Sequence, residues 1–440
     1  MLIAYTFFFI MSNAPKLPKV AILLLRGLEG CGVSNYSRHM KGYYDSVGGV
    51  CDIFALQTKV GRSDTSSDMD VKFFKYEDKQ EVVDKVNSGY DVILIFSVPD
   101  TSEPDTVTNG YVSEIIEKID RKKVMVNHDH HAHTFKRNAD FKNAIESCDK
   151  VMAHSLNKTN SGFIEWMEKQ NAIIPPMEKI DIFFHVPFIQ HLINLEKDTR
   201  KKRVIHASRA VAWKRGSLIL NLQKLLADKG FIAEMIGFER SIAGYTQLKN
   251  YEGVLDWFKS TDFIKPIKGP SPFSNSKINS QLMDWLDEVG QDPQFMYVIG
   301  SYDYHRGLKR IAESAFATQP RTFEHNKLCY GNTFIEYQGI EAALLSVPIY
   351  HRHFLDNVTI PNTNTLLSQT DTFISIDDDG RALAKGGPQV LEPEKFVDML
   401  EEIWEDDNKY TEYRKKSSDF MMKYFSSASI VPNLMEKIMS

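Results

Sequence analysis

The stretch VAILLLRGLEGCGVSNYSRHM, Val20 to Met40, decides the fold class of the chain. Val20–Leu25 is short, aliphatic and bounded by a turn signal, which is the pattern of a buried strand. A glycine loop follows, and Ser34–Ser46 then has the spacing of a helix, with Ser34 and Ser37 where an N-cap would fall. A strand, a glycine loop and a helix N-terminus in this order place backbone N–H groups where they can face an anion. The stretch therefore predicts an α/β fold with a ligand beside the loop.

The spacing of the glycines argues against a dinucleotide-dependent dehydrogenase. Their order is Gly27-x-x-Gly30-x-Gly32 rather than G-x-G-x-x-G. The next strand ends in Gln57 and Thr58, where a dehydrogenase would need an acidic residue for the ribose. The loop is interpreted as a place where another ligand approaches closely. The alternative, a tight turn whose glycines only permit packing, stays open.

Strand-like and helix-like segments alternate along the chain, which predicts parallel sheets with helices on both faces. In the first half, strands are predicted at Val20–Leu25, Gly49–Ala55, Asp91–Ser97, Lys123–Asn127 and Lys150–Ala153, with helices at Ser34–Ser46, Lys79–Asn87, Val112–Arg121 and Ala139–Ser147. In the second half, strands are predicted at Arg203–Ser208, Phe231–Gly237, Phe295–Gly300 and Val347–His351, with helices at Gly216–Lys229 and Thr333–Leu345 and a largely helical end from Pro393 to Ser440.

The alternation breaks once, at the charged segment LEKDTRKKR (Leu195–Arg203), which is interpreted as a hinge. We therefore expect two doubly wound, Rossmann-like domains that face each other across a cleft, over residues 11–195 and 203–410. A final helix, 411–440, is expected to cross back to the N-terminal domain. Residues 1–10 are expected to be a non-native or disordered start before Met11.

Composition narrows the class of protein. A length of 440 residues exceeds what one core usually supports, which agrees with two domains. The net charge of −5 excludes a basic coat over the whole molecule but leaves room for a local basic cleft. Four cysteines without a C-x-x-C pair indicate a reduced, cytosolic protein and offer no zinc site. The apolar start lacks the features of a signal peptide or a membrane span, so neither secretion nor membrane insertion is expected.

The run VNHDHHAH, Val126 to His133, follows a predicted strand directly. Three interpretations stay open: a metal site, a histidine-rich surface turn, or a reaction site. In the third, Asp129 beside His128 accepts a proton or hydrogen bond from a substrate hydroxyl. The other histidines can then stack on bases or contact phosphate. These acceptor-facing residues are His130, His131 and His133, with Lys136 and Arg137 close behind in sequence.

Two segments of the second half carry further candidate residues. In SRAVAWKRG, Arg209 and Lys214 flank a loop after a strand, where two cations suit a departing diphosphate; the alternative is a solvated basic loop. In FIEYQGIEAALL, Glu336 and Glu341 lie near a helix start. They are interpreted either as ligands for sugar hydroxyls or as simple helix-capping carboxylates.

Six segments of the chain together resemble the DNA α-glucosyltransferases of T-even-type bacteriophages. They are RGLEGCGVSNYS, DVILIFSVPDTS, NHDHH, SRAVAWKRG, GFERS and FIEYQGIEAALLSVPIY. The matched segments run in the same order from about residue 20 to 351. The related phage arabinosyltransferases are similar too. The resemblance implies a GT-B fold and a retaining hexosyl- or pentosyltransferase. Such an enzyme moves a sugar from UDP-glucose or UDP-arabinose to 5-hydroxymethylcytosine in double-stranded phage DNA and so protects the genome from host restriction. A monomer in the cytoplasm of the infected bacterium is expected.

The resemblance also implies roles for individual residues. Arg209 and Lys214 would hold the diphosphate. Glu341 would bind the ribose, and Glu336 would bind the donor sugar or the nearby nucleotide. Asp129 with His128 would meet the reacting centre and the hydroxymethyl group of the flipped base. The remaining donor-side residues implied are Gly30, Gly32 and Val33 in the glycine loop, and Glu239, Arg240 and Ser241 in GFERS. Cationic side chains replace a metal in such enzymes, so no metal or cofactor is expected beyond the UDP-sugar co-substrate.

Contact with DNA requires local cations despite the negative net charge. Besides Lys136 and Arg137, four further cations are candidates: Arg306, Lys309, Arg310 and Lys327. The alternative is that these are solvated surface charges. Two other functions stay open for the whole chain: a GT-B transferase with a non-DNA acceptor, and a non-catalytic relative that binds DNA or nucleotide-sugar.

Overall fold

The computed structural model describes residues 17–25, 32–57, 70–96, 113–127, 139–153, 174–182, 186–189, 199–207, 222, 224–236, 264–266, 296–299, 304–320, 337–352 and 393–440. Within these ranges the chain forms two parallel sheets, one of seven strands and one of six. Every described strand pair is parallel. Among the described helices none is long and apolar enough to cross a membrane.

The first sheet has the strand order β3-β2-β1-β4-β5-β6-β7. Its strands are β1 Val20–Leu24, β2 Cys51–Leu56, β3 Val71–Phe74, β4 Val92–Phe96, β5 Lys122–Asn127, β6 Lys150–Ala153 and β7 Ile180–Ile182. The central strands β1 and β4 are aliphatic except for Phe96 and are fully buried, as expected for a parallel sheet covered on both faces.

Two apolar cores lie on the two faces of this sheet, because successive residues of β1 point to opposite sides. Ala21 and Leu23 contribute to one core, and Ile22 and Leu24 contribute to the other. The helices of this half are α1 Gly32–Ser46, α2 Lys79–Gly89, α3 Ser113–Glu117 and α4 Ala139–Ser147.

The second sheet has the order β10-β11-β9-β8-β12-β13. Its strands are β8 Lys201–Ala207, β9 Ile232–Ile236, β10 Ile264–Pro266, β11 Met296–Ile299, β12 Ser314–Pro320 and β13 Ile349–Arg352. Its helices are α5 Tyr304–Ala312 and α6 Tyr337–Leu344, and residues 224–228 are also helical.

Three helices follow: α7 Pro393–Glu405, α8 Asp407–Tyr424 and α9 Ser427–Met439. Helices α7 and α8 pack on the second sheet through Phe396, Leu400 and Tyr410. Helix α9 instead packs on the first sheet, where Ile430 and Met435 join the core beneath β1 and β4. The Asp406 side chain caps α8, and that of Ser426 caps α9. The last described helix therefore completes the core of the first sheet.

Several predicted segments differ from the structure. The strands Val71–Phe74, Ile180–Ile182, Ile264–Pro266 and Ser314–Pro320 were not predicted. The predicted hinge Leu195–Arg203 is wrong at its C-terminal end, because β8 begins at Lys201 and Arg203 is fully buried. The predicted helix Val112–Arg121 is limited to Ser113–Glu117. The strand Lys150–Ala153 and the helix Ala139–Ser147 are confirmed to the residue. The domain boundaries themselves stay predictions.

Candidate functional site

Four of the predicted motifs begin where a described strand ends. The glycine loop follows β1, and the histidine run follows β5 at Asn127. The loop with Arg209 follows β8, and GFERS follows the neighbouring strand β9. Because all strands of a sheet are parallel, these four starting points lie at the carboxyl edges of the two sheets, where α/β folds bind ligands.

Helix α1 begins at Gly32, two residues earlier than predicted. Ser34 is therefore inside the helix and is not its N-cap, which corrects the prediction. Gly32 and Val33 supply backbone N–H groups of the first turn, which have no partners within a helix. These groups and the positive end of the helix dipole suit a phosphate that approaches from the β1 edge.

Glu341 is the one predicted donor-side carboxylate within the described residues. It lies at the fifth position of α6, whose first turn contains no acidic residue, so helix capping does not explain it. The side chain is buried, and its Oε1 lies 3.1 Å from Nε2 of His39 on α1. The contact joins a helix beside the first sheet to a helix beside the second.

His39 is a site residue that the sequence analysis missed. It is completely buried, and its Nδ1 lies 3.0 Å from the backbone nitrogen of Phe188 and 2.7 Å from the Phe188 carbonyl oxygen. A signal was available, since His39 lies at helical spacing between the buried residues Tyr36 and Tyr43. A polar residue on such an apolar face is buried only where it is hydrogen-bonded.

The crossing segment, which we define as Val186–Ile189, holds the two halves together beside this contact. Ser427 at the start of α9 donates from its hydroxyl to the Val186 carbonyl at 2.7 Å. Phe188 approaches Gly42 so closely that a Cβ there would lie 2.9 Å from its ring. Ile189 packs against the cores that flank α6. The segment thus contacts α1, α9 and the second sheet's helices at once.

Burial controls the ionisation of the tyrosines on α1. Burial raises the pKa of Tyr36, and also that of Tyr44, because the phenolate would lose its hydration. Tyr36 packs at 5.1 Å, between ring centroids, on Phe96 at the end of β4. These hydroxyls therefore stay protonated even at alkaline pH, and the rings pack in the apolar core beside β1 and β4.

Arg310 is wrongly predicted as a DNA-binding cation. It is buried, and its guanidinium pairs with Glu234 of β9 through Nε and Nη2. The Glu234 carboxylate also contacts Arg203 of β8. Its neighbour Lys309 is exposed and lies 3.7 Å from Glu313. The DNA-binding role of exposed Lys309 therefore stays a prediction, whereas the Arg310 charge lies in the core.

Most of the predicted site residues lie outside the described residues, and their roles stay predictions. They are Gly30, His128, Asp129, His130, His131, His133, Lys136, Arg137, Arg209, Lys214, Glu239, Arg240, Ser241, Lys327 and Glu336. Arg306 belongs to α5, but the position of its side chain is not described. Within the described residues no cluster of three potential metal-ligating side chains occurs.

Comparison with known proteins identifies the fold. No protein-family model matches the chain. A DNA alpha-glucosyltransferase of Enterobacteria phage T4 is 20% identical over 429 residues, which cover 93% of this chain and 97% of that protein. An alpha-glucosyltransferase structure with UDP-glucose and DNA containing an abasic site has a TM-score of 0.71 at 17% identity, covering 96% of this chain and 100% of that one. The chain has the GT-B fold.

More distant GT-B proteins share the fold as well. HepE of Anabaena in complex with UDP-glucose has a TM-score of 0.51 at 12% identity and covers 96% of this chain and 98% of its own. The GT-B chain described here resembles the phage DNA α-glucosyltransferases along nearly its whole length, so the resemblance expected from its motifs is confirmed.

Proposed function

We propose that this GT-B chain is a retaining glycosyltransferase that moves a sugar from a UDP-sugar to the hydroxymethyl group of 5-hydroxymethylcytosine in double-stranded DNA. One observation carries the proposal: the match to the T4 DNA alpha-glucosyltransferase, which spans 93% of this chain and 97% of that protein. Solved alpha-glucosyltransferases of this fold hold UDP-glucose or UDP together with DNA. The sugar nucleotide bound in such a complex is UDP-glucose, so UDP-glucose is the favoured donor and UDP-arabinose the alternative.

The donor would bind between the carboxyl edges of the two sheets. The first turn of α1 supports a diphosphate site, and buried Glu341 supports a ribose site on the opposite half. We assign Arg209 and Lys214 to the diphosphate and Glu336 to the sugar. Two cations at a departing diphosphate stabilise the charge that develops there and remove the need for a metal.

The acceptor would enter from the first sheet. The hydroxymethyl group lies on a base inside a duplex, so the base must leave the stack, at a cost of a few kcal/mol. We assign the reacting centre to Asp129 and His128 after β5, and DNA contacts to His130, His131, His133, Lys136 and Arg137. Exposed Lys309 on α5 adds one further cation for the phosphate backbone.

The bond changes follow from transfer with retention. The bond between the anomeric carbon and the β-phosphate oxygen breaks, and a bond to the hydroxymethyl oxygen forms on the same face of the sugar. The hydroxyl proton moves to the departing phosphate, with Asp129 polarising the hydroxyl. The products are UDP and glycosylated DNA. In an infected bacterium, a monomer acting in the cytoplasm would modify the phage genome and protect it from restriction.

The test mixes the purified full chain with 5-hydroxymethylcytosine DNA and either UDP-glucose or UDP-arabinose, then weighs the nucleosides. A mass increase of one hexose or one pentose identifies the sugar. The same DNA with unmodified cytosine is the control and should gain nothing. UDP-sugar binding without UDP release would instead indicate a non-catalytic relative. UDP release only with an acceptor other than DNA would indicate a different GT-B transferase.

The diphosphate role of Arg209 has its own test. Arg209→Ala should lower kcat by about 10²–10³, the usual effect of losing one group that stabilises transition-state charge. Affinity for DNA should stay near the unaltered protein's value. Lys229→Ala, which breaks a partly exposed ion pair with Glu401 on α7, is the matched control and should leave kcat unchanged. Loss of DNA binding with normal turnover of bound DNA would contradict the assignment.

A further inference from the structure

We propose that His39 is a positioning residue that orients the Glu341 carboxylate toward the ribose of the donor nucleotide. The proposal deepens the proposed function and rests on it, because it takes Glu341 as the ribose ligand. It adds a residue from the first half of the chain to a subsite otherwise built from the second half. His39 itself does not contact the nucleotide.

The geometry gives His39 one fixed orientation. Its ring is fully buried on α1 and lies against the backbone of Phe188 through Nδ1. The Phe188 ring is held in turn by an edge contact with Tyr43 at 6.0 Å between centroids and by its close approach to Gly42. Rotation of the imidazole would therefore break its contacts with a backbone that is itself held in place.

The same anchoring decides which nitrogen carries a proton. In the neutral ring, the Phe188 N–H donates to Nδ1, so Nε2 carries the hydrogen and donates to Glu341 Oε1 at 3.1 Å. In the charged ring, Nδ1–H donates to the Phe188 carbonyl oxygen at 2.7 Å, and Nε2–H still donates to Glu341. The hydrogen bond to the carboxylate is preserved in both protonation states.

A carboxylate oriented in this way suits a vicinal diol. An ionised carboxylate accepts hydrogen bonds through both of its oxygens, and the bond from His39 goes to Oε1. The two neighbouring hydroxyls of a ribose can donate hydrogen bonds to one such carboxylate. His39 also lies seven residues after Gly32, which is about 10 Å along a helix. Helix α1 would thus act on both ends of a nucleoside diphosphate: its first turn on the phosphates, and His39, through Glu341, on the ribose.

The experiment measures binding of UDP and 2′-deoxy-UDP to the full chain by calorimetry. His39→Asn shortens the side chain beyond reach of Glu341, whereas His39→Gln places an amide donor near the former Nε2. We expect His39→Asn to raise the Kd of UDP about tenfold, the size expected for a hydrogen bond to a charged group, and to reduce the preference for UDP over 2′-deoxy-UDP. His39→Gln should restore most of that preference.

Two further variants separate positioning from general stability. Ser427→Ala removes a buried hydrogen bond to the same crossing segment without touching Glu341, so it should leave the UDP preference unchanged. In a Glu341→Gln background, His39→Asn should have little further effect on UDP binding, because its target is already altered.

Equal weakening of both nucleotides by His39→Asn, or an undiminished effect in the Glu341→Gln background, would overturn the proposal. If His39→Asn does not fold, Glu341→Gln alone decides the test. An unchanged preference of the Glu341→Gln variant for UDP over 2′-deoxy-UDP also overturns the proposal. These readouts need no acceptor. If the chain transfers no sugar to DNA but the binding results hold, the DNA function fails and the positioning role stands.

Discussion

The two sheets share one architecture but fill their centres differently. In the first sheet, β1 and β4 bury only aliphatic side chains apart from the ring of Phe96. In the second sheet, the corresponding space holds three charged residues, Arg203, Glu234 and Arg310, with 0%, 0% and 2% of their surface exposed. The parallel α/β scaffold therefore accepts either hydrocarbon or two arginines that share one glutamate at its centre.

The polar groups of the second sheet occur where its ladder is irregular. The pairing of β12 with β8 shifts register between Ser314 and Phe316. Arg200 donates to the Ser314 and Leu345 carbonyls, and the Ser314 hydroxyl donates to the Arg310 carbonyl. The Ser314 carbonyl lies at the register shift, and the carbonyls of Arg310 and Leu345 lie at helix C-terminal ends, where the helix leaves them without a backbone partner. Side chains satisfy all three, so a buried charge also serves the backbone.

The largest effect is expected from breaking the charge network on one side. Glu234→Ala leaves two guanidinium groups buried without their shared carboxylate, which should cost about 3–5 kcal/mol of unfolding free energy, measured by urea denaturation. Lys229→Ala, which breaks a partly exposed surface ion pair in the same half, is the control and should change the urea midpoint far less.

The replacement of all three charges sharpens the same test. A triple variant, Arg203→Met, Glu234→Leu and Arg310→Met, converts the second centre to the hydrocarbon type of the first. It should recover most of the stability that Glu234→Ala loses, because no unpaired charge remains. If Glu234→Ala costs no more than Lys229→Ala, the two sheets do not differ in the way described.

A somewhat smaller effect is expected where α9 completes the first sheet. Ile430→Ala should cost about 3 kcal/mol, since it leaves a cavity in the core that α9 shares with β1 and β4. Hydrogen exchange of the β1 and β4 amides should accelerate in parallel. Glu436→Ala on the exposed face of α9 is the matched control. Normal protection of β1 in the Ile430→Ala variant would show that α9 does not support the first sheet.

Equivalent side-chain deletions at the centres of the two sheets should lower the free energy of unfolding by nearly equal amounts. Ile22→Val in β1 and Ile205→Val in β8 each remove one methylene from a fully buried side chain. Each should cost about 1 kcal/mol. A much larger loss for Ile205→Val would mean that the charge network makes the second core less able to relax.

The smallest effect concerns two buried thiols of the first half. Burial raises the pKa of Cys148 to about 12, and burial also raises that of Cys51. An unfolded thiol ionises near its ordinary value of about 9, so this contribution to stability is complete below pH 9 and falls as pH rises toward 12. Between pH 8 and pH 10, the urea midpoint should fall less for Cys148→Ala than for the unaltered chain.

Alkylation gives an independent measurement of the same property. Both thiols should resist alkylation in the native chain at pH 8 and react after unfolding, as followed by peptide mass spectrometry. Rapid native alkylation of Cys148 would contradict its burial.

The sequence missed two strands in each sheet, and the errors at the centre of the second sheet follow from this same difference. Continuous aliphatic runs such as Val92–Phe96 identify buried strands without ambiguity. In the second half, Lys201–Arg203 begins a strand but consists of charged residues, and β12 is built from SAFATQP, which has weak strand preference. The sequence does not distinguish a charged residue that is paired in the core from one on the surface. This explains the errors at Arg203 and Arg310.

The site was predictable in part for a related reason. Glu341 was selected from its motif, and the structure places it beside the junction of the two halves. Its partner His39 is 302 residues away, and a contact over that distance depends on how the halves pack. Local spacing shows that His39 lies on a buried helix face, but only the tertiary arrangement shows which residue it meets.

The position of α9 has a consequence for synthesis on the ribosome. The strands of the first sheet emerge early in translation, whereas the helix that covers one of their faces is made hundreds of residues later. Nascent chains will therefore carry an uncovered apolar surface for most of their elongation, the condition under which chains recruit chaperones or aggregate. Rapid expression at high temperature should accordingly favour inclusion bodies.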